Sequence, residues 1–352
     1  MRIYFFTGTG NSYWTASQLV SLASDSGISA NMFAIDMLQR SDIRAGTRDS
    51  LTGFIYPTHG FALPWYMLKF ILHFPRGKGA VFIVNNRAGM KMGRLFTPGI
   101  SGIAAHLPML ILILKGYRIA GTLPLDNPSN WISIHPGIKQ KVVNSIFERR
   151  IRDIHNFGDR IFKNLTCFPL KYLLFIPLDI LLIPISLAYL FFGRFILARS
   201  YFSSSSCDGC GICAKRCPVG AISMKKGTPY WSYRCESCMR CSNVCPKKSV
   251  NSSIPALILM VWVLSNIASS SGIFKDFWEL VENSSGIFYW LIYYTLQWVA
   301  TLVLSWLIYL VLFYLNKTAP GSFLLSRLTP MFWWRRYIAP GFRGIYKSAK
   351  SV

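Results

Sequence analysis

Two cysteine runs constrain this chain most: Cys207-x2-Cys210-x2-Cys213-x3-Cys217-Pro218 and Cys235-x2-Cys238-x2-Cys241-x3-Cys245-Pro246. Triplets of thiolates spaced two residues apart and closed by a fourth before proline are the ligand pattern of iron-sulfur clusters. Zinc knuckles are the alternative, but structural zinc sites usually take two C-x2-C pairs across a longer spacer. Gly209, Gly211 and Gly220 suit backbone that wraps closely, and the small Ala214, Ala221 and Ser242 leave room for a cluster. The runs use eight of the nine cysteines, and the ninth, Cys167, reads as a small hydrophobe at the edge of an apolar stretch. A disulfide framework is therefore not expected, and the compartment should be reducing.

Written twice, C-x2-C-x2-C-x3-C-P resembles the signature of bacterial two-cluster ferredoxins. The resemblance implies a small α+β module over 201–251 holding two [4Fe-4S] clusters, with the fourth cysteine of each run ligating the other cluster. One cluster would take Cys207, Cys210, Cys213 and Cys245, and the other Cys235, Cys238, Cys241 and Cys217.

The start of the chain is equally specific. Arg2-Ile3-Tyr4-Phe5-Phe6 is a β-prone run, Thr7-Gly8-Thr9-Gly10-Asn11-Ser12 follows, and helical spacing continues through Ala16, Leu19, Val20 and Leu22. Strand, hydroxyl-rich loop and helix start together make an anion site, because loop amides and helix dipole face one point. The loop lacks the Lys-Ser/Thr ending of a nucleotide P-loop and the spacing of G-x-G-x-x-G. Strand-like runs alternate with helical spacers over the first 135 residues, as a parallel sheet requires. Candidate strands lie near Ala30 to Ala34, Gly53 to Tyr56, Ala80 to Asn85 and Tyr117 to Thr122.

T-G-T-G-N-S after a first strand resembles the phosphate loop of flavodoxins. The resemblance implies an α/β flavodoxin-like doubly wound parallel sheet over 1–135, with Thr7, Gly8, Thr9, Gly10, Asn11 and Ser12 at the phosphate of FMN. Such sheets bind ligands at the carboxyl ends of their strands. The loops at those ends, Pro57-Thr58-His59-Gly60-Phe61 and Asn85-Asn86-Arg87-Ala88-Gly89, are expected to meet the flavin ring. Phe61 or Trp65 would stack on it, His59 or Asn86 would bond its edge, and Arg87 would neutralise a reduced flavin anion. The plain alternatives are that Trp65 begins a buried helix, that His59 is an ordinary loop residue and that Arg87 is exposed.

The order of the parts resembles the flavodoxin/ferredoxin fusion proteins of anaerobic bacteria and archaea over residues 1 to about 250. Leu125-Asp126-Asn127-Pro128-Ser129-Asn130-Trp131 is similar to the M-P-x-N-Y segment these proteins carry after the last strand. Charge departs from the pattern. Flavodoxins and small ferredoxins are commonly acidic, whereas residues 1–130 hold 12 Lys/Arg against 5 Asp, and 203–253 hold 8 against 2 acids. The whole chain is 52% hydrophobic with a net charge of +24. No nucleic-acid motif accompanies that charge, and the bases flank apolar segments, so an anionic bilayer is the expected partner and nucleic acid is not.

Residues 252–317 read as a transmembrane hairpin. Gly286 to Asn316 has no charge over 31 positions and Ile254 to Ser271 none over 18, enough for two helical crossings. The intervening Lys275 to Glu282 holds one base and three acids, while Lys317 to Val352 holds seven bases and no acid. The positive-inside rule places the basic tail, 318–352, and the redox modules in the cytoplasm. Residues 167–200 are apolar but contain Lys171 and Asp179 and are interrupted by Pro169, Pro177 and Pro184. They read as a re-entrant or interfacial segment, with Lys163, Lys171, Arg194 and Arg199 at the headgroups. Residues 136–166 read as a basic linker helix reaching toward the membrane. Nothing at the start resembles a signal peptide.

The expectation is a membrane-anchored carrier passing electrons between FMN, two clusters and a redox partner protein or quinone, facing the cytoplasm, with 254–352 separable from the redox modules. The alternative is a flavin-dependent reductase of a quinone or other lipid, which requires an apolar pocket beside the flavin continuous with the membrane segments. No nucleophile, base and orienter set is present in the sequence.

Overall fold

The computed structural model describes residues 1–39, 43–92, 95–133, 135–269 and 287–342. Its first layer is a parallel sheet of β1 (Arg2–Phe5), β2 (Asn31–Ala34), β3 (Leu51–Pro57), β4 (Ala80–Met92) and β6 (Arg118–Pro128), in the order β2-β1-β3-β4-β6. A short β5 (Leu95–Thr97) folds back antiparallel on the end of β4. The central strands are apolar almost without interruption because both faces are covered, and Phe54 to Tyr56 and Val81 to Val84 have no exposed surface. One face carries α2 (Trp65–His73) and α3 (Ile103–Leu114), with Tyr4, Phe54, Phe70 and Phe74 packed ring to ring. The other carries α1 (Asn11–Asp25) and α4 (Gln140–Phe162) over Ile3, Phe5 and Phe82.

The helix α4 corrects the expectation of a linker over 136–166. Val143, Ile146, Phe147, Ile154, Phe157 and Ile161 form a buried stripe at helical spacing, and they lie on the sheet. Its bases are the solvent face of that amphipathic helix, so the sheet domain extends through residue 162.

The apolar segment that follows forms α5 (Leu170–Leu181) and α6 (Ile183–Ala188), then a π-helical turn and α7 (Arg194–Ala198), bent by 69° at the break. Asp179 is buried and accepts hydrogen bonds from the Gly102 amide at 2.7 Å and His106 Nε2 at 3.0 Å. Three of the four bases expected at headgroups are used inside the protein. Lys171 pairs with Asp126 at 3.2 Å, Arg194 stacks on Trp65 and Phe195, and Arg199 is buried against the Trp231 carbonyl and the Tyr233 ring. Lys163 is exposed.

The cysteine module pairs β7 (Tyr201–Ser203) with β10 (Val250–Ser252) and β8 (Ile222–Lys225) with β9 (Thr228–Trp231), and carries α8 (Ile212–Lys215) and α9 (Arg240–Val244). Two apolar helices follow, α10 (Ile254–Ser269) and α11 (Ile287–Leu315). Within α11, Thr295–Leu315 is long and apolar enough to cross a membrane, about 31 Å at the helical rise. One side of α11 docks on the cysteine module, where Tyr309 OH accepts from the Trp231 amide at 2.9 Å and Asn316 Nδ2 donates to the Ser203 carbonyl at 2.7 Å. The other side exposes Leu296, Val299, Val303, Leu307 and Val311. The expected loop at Lys275 to Glu282, the ends of the expected spans at Ser271 and Gly286, and the tail beyond residue 342 lie outside the described residues.

The described part of the tail, through residue 342, packs on the redox modules. After α12 (Ala319–Arg327), fully buried Met331 accepts from the Ser252 amide at 3.2 Å. The Tyr337 amide donates to Asn243 Oδ1 at 2.6 Å, its hydroxyl donates to Asn11 Oδ1 at 2.5 Å, and the Ala339 amide donates to the Thr9 carbonyl at 2.8 Å. The strap therefore joins the cysteine module to the T-G-T-G-N-S loop.

Candidate functional site

The loop between β1 and α1 is a built cradle. Thr7 Oγ1 accepts from the Gly10 amide at 3.0 Å, and Gly10, at φ 104°, turns the chain into α1. Asn86 Nδ2 donates to Ser12 Oγ at 2.9 Å, and Asn130 Nδ2 donates to Thr9 Oγ1 at 2.7 Å. Those bonds fix the hydroxyls, while first-turn amides of a helix have no partner within it. The arrangement fits a phosphate dianion.

A cleft of about 780 Å³, its open mouth included, runs from this cradle along the carboxyl ends of β3, β4 and β6. Of the residues expected there, Thr7, Gly8, Thr9, Asn11, Ser12, Pro57, Thr58, His59, Gly60, Asn86 and Arg87 line it. Four others do not. Gly10 shapes the loop from behind; Asn85 points to the opposite sheet face and bonds Ser101 Oγ at 2.9 Å. Gly89 packs on the Asp126 carbonyl, and Phe61 lies in a left-handed turn, its carbonyl accepting from Ser186. Trp65 begins α2, as its plain alternative had it.

Arg87 is not exposed. Its Nε and Nη2 reach Asp126 Oδ1 at 2.8 and 2.7 Å, and the Gly99 amide donates to the same oxygen. His59 is pushed down to about 4 by burial, opposed by a bond with the Glu236 backbone. It is neutral at pH 7.

Sequence reasoning missed the rest of the wall. Ser129 and Trp131 follow β6, Tyr189 and Leu197 come from the bent apolar helices, and Ser237 and Met239 from the second cysteine run. A side chain on Gly60 would collide with the Tyr189 ring, so glycine there lets the ring close the cleft. Only the resemblance of 125–131 to a family segment pointed toward any of these residues.

The second cysteine run lies directly on the cradle. A Cβ on Gly8 would stand 1.9 Å from the Cys238 carbonyl oxygen, which excludes every residue but glycine. Arg240 Nε donates to the Gly8 carbonyl at 3.1 Å, and its Nη1 pairs with buried Asp36 at 3.2 Å. Burial raises the Asp36 carboxyl above its usual range, with Arg240 opposing.

The thiols fall into two sets. Cys213 lies within electrostatic reach of Cys207, Cys245 and Cys210, and Cys235 within reach of Cys241, Cys217 and Cys238, with Cys241 also in the field of Cys213 between the sets. Among the described residues no three His, Cys, Asp or Glu side chains converge on a point that would hold one metal ion. Sulfur acceptors are also met by donors: Cys217 Sγ by the Ala221 amide at 3.2 Å and Cys235 Sγ by the Ser237 amide at 3.4 Å. This donor set fits iron-sulfur clusters.

The two runs repeat one backbone. Gly209, Gly211 and Gly220 have φ of 73°, 71° and 57°, and the matching Ser237, Met239 and Lys248 have 49°, 62° and 50°. A side chain in that region costs about 1 kcal/mol.

Residues 206–250 match a family described as 4Fe-4S dicluster domain. The chain is a fusion of a flavodoxin-like domain and a ferredoxin-type domain. The flavodoxin-like half of the fusion rests on its strand order, 2-1-3-4-5 when the five parallel strands are renumbered along the chain. Solved structures similar to the fusion include a Streptococcus pneumonia TIGR4 flavodoxin, 14% identical over 47% of this chain and 98% of that one, with a TM-score of 0.33. Another is a Fusobacterium nucleatum flavodoxin bound to flavin mononucleotide, 12% identical over 47% and 97%, with a TM-score of 0.30. Among curated proteins no sequence matches the fusion.

Proposed function

We propose that the fusion is a membrane-anchored electron-transfer protein, with FMN in the cleft and two [4Fe-4S] clusters on the eight thiols in crossed ligation. One observation carries this reading: Ser237 and Met239, from the loop between Cys235 and Cys241, are part of the cleft wall. A flavin and a cluster would then be separated by one loop. When bound, FMN exchanges electrons in pairs or singly and each cluster carries one, which links two-electron to one-electron partners. The chain's part is placement. Thr7, Thr9, Asn11 and Ser12 hold the phosphate, Trp131 and Tyr189 offer aromatic surface to the ring, and neutral His59 presents a polar edge without adding charge.

Anchoring is supported by exposed apolar side chains on α5, α6, α10 and α11, among them Leu174, Leu181, Ile185, Trp262 and Val311. Seven bases after the last span favour a cytoplasmic tail and cytoplasmic redox domains. A redox protein or a quinone at the membrane would complete the path. Reduction of a lipid is a second reading, favoured by Tyr189 and Leu197, which bring the bent apolar helices to the cleft itself.

Anaerobic purification tests the cofactors: about eight iron atoms and one FMN per chain are expected. Zinc in place of iron, or FAD in place of FMN, overturns the reading. Reporter fusions at the C-terminus and within 275–282 test the anchor, with cytoplasm and exterior expected in turn. A reporter between residues 163 and 169 should report cytoplasm, and an exterior signal there would mean that 170–198 crosses the bilayer.

A further inference from the structure

The two thiol sets differ in exposure. Cys235, Cys238 and Cys241 are buried, beside the cleft. Cys210 is exposed and Cys207 and Cys245 are half-buried. The set of Cys207, Cys210, Cys213 and Cys245 therefore has an edge at the surface, and none of the four lines the cleft.

Exposed Lys215, Lys226 and Lys247 neighbour that edge, while Lys225 Nζ lies over the Tyr230 ring at 3.7 Å. Lys215 follows Cys213 at the end of α8, and Lys247 follows Cys245-Pro246. The Lys225-Lys226-Gly227 turn lies on the same loop, since a Cβ on Gly209 would stand 3.2 Å from the Gly227 carbonyl oxygen. Asp208, which accepts from the Cys210 amide at 3.2 Å and lies in the field of Lys247, is the one exposed acid between 203 and 253. The face has a second property. Among the described residues no large hydrophobic side chain is exposed between Phe192 and Ile258, while the helices before and after expose many. A surface that enters a bilayer offers apolar side chains, and this one offers ammonium groups around a cluster edge.

We infer that this face docks an acidic, soluble one-electron carrier protein, and that electrons cross there through the cluster of Cys207, Cys210, Cys213 and Cys245, an inference that rests on the cluster reading proposed above. In one encounter the reduced carrier loses one electron and the cluster gains it, with no bond made or broken and no proton moved. A second encounter supplies the second electron needed for full reduction of the flavin. Opposite charges steer such encounters and raise their rate ten- to a thousandfold, with strong salt dependence. The membrane then holds the chain while the carrier diffuses.

The test uses the full chain, purified anaerobically into neutral phosphatidylcholine nanodiscs, and a reduced acidic [2Fe-2S] ferredoxin as probe. Lys215→Glu, Lys226→Glu and Lys247→Glu combined should slow cluster reduction by the ferredoxin about tenfold or more at low salt. Reduction by a neutral dye and iron content should not change, and raising the salt should erase the difference. Arg76→Glu with Lys78→Glu, exposed on the sheet domain, should have no effect. Binding of oxidised ferredoxin, followed by calorimetry, should weaken in parallel. Unchanged ferredoxin rate and binding in the triple variant overturns the inference. So does a triple variant that loses binding to anionic vesicles alone, because the face would then belong to the membrane. A wild-type chain without iron refutes the cluster reading instead, and calorimetry still decides docking.

Discussion

Arg240 Nη2 donates to the Thr7 carbonyl at 2.6 Å. The donor belongs to the helix after Cys238 and the acceptor to the first residue of the phosphate cradle, so one guanidinium joins two modules more than 200 positions apart. It also reaches the Gly8 carbonyl, the Arg216 carbonyl and Asp36.

Arg240→Ala should open that joint. It removes the cation from buried Asp36, a change that costs about 3–5 kcal/mol when the remaining charge stays ionised. Burial raises the Asp36 carboxyl and Arg240 opposes it, so loss of the cation raises it further and the cost falls at the lower end. The expected outcome is FMN affinity reduced at least about tenfold with iron content retained, measured by flavin fluorescence and iron assay. Arg240→Met with Asp36→Asn should recover stability but not the backbone bonds to Thr7 and Gly8.

Cys217→Ser should damage one cluster selectively. Cys217 lies in the first run by sequence but within electrostatic reach of Cys235, Cys238 and Cys241. Electron paramagnetic resonance of the reduced variant should lose the buried cluster and keep the exposed one. The opposite loss would refute crossed ligation.

Tyr337→Phe tests the strap. The hydroxyl bonds Asn11, which in turn donates to the Pro128 carbonyl at 2.8 Å, so the cradle is braced from the far end of the chain. Loss of one buried hydrogen bond costs about 1 kcal/mol, or about fivefold in FMN affinity if the cradle relaxes. A chain ended after Trp334 should lose more, whereas a separable tail would leave flavin titrations unchanged.

His59 makes stability depend on pH. Its folded value of about 4 lies below the unfolded 6.5, so the unfolded state binds more protons between these values and stability falls as pH drops through that window. Between pH 8 and pH 6 the loss is at most about 0.8 kcal/mol, and less because the residue keeps some exposed surface. Urea midpoints of the anaerobic protein should show this slope, and His59→Asn should flatten it.

What could be read from the sequence was local. Cysteine spacing, the T-G-T-G-N-S loop and the apolar strands each occupy a few consecutive residues, and the loop follows β1 at the sheet's carboxyl edge. Asn85 does not meet the cleft because adjacent strand residues point to opposite faces, and Asn86 takes the cleft face. Residues 139–163 read as a linker because of their seven bases, most of which are in the fold the solvent face of α4 opposite its buried 3.6-residue stripe. Ser237, Met239, Tyr189 and Leu197 carry no such signal. They reach the cleft only because distant segments dock, and no periodicity within a segment encodes where its neighbour will lie.

The repeated backbone of the cysteine runs carries a consequence for how such a module diverges from its own copy. At three matched turns the first run has glycine, while the second holds Ser237, Met239 and Lys248 in the same uncomfortable conformation. Ser237 and Met239 line the cleft, and the Lys248 carbonyl accepts from Arg336 of the strap at 2.7 Å. At the two turns that face the cleft, the second run holds side chains where the first has glycine. Ser237→Gly and Met239→Gly would relax the chain yet erase that specialisation, returning the second run to the generic form of its twin.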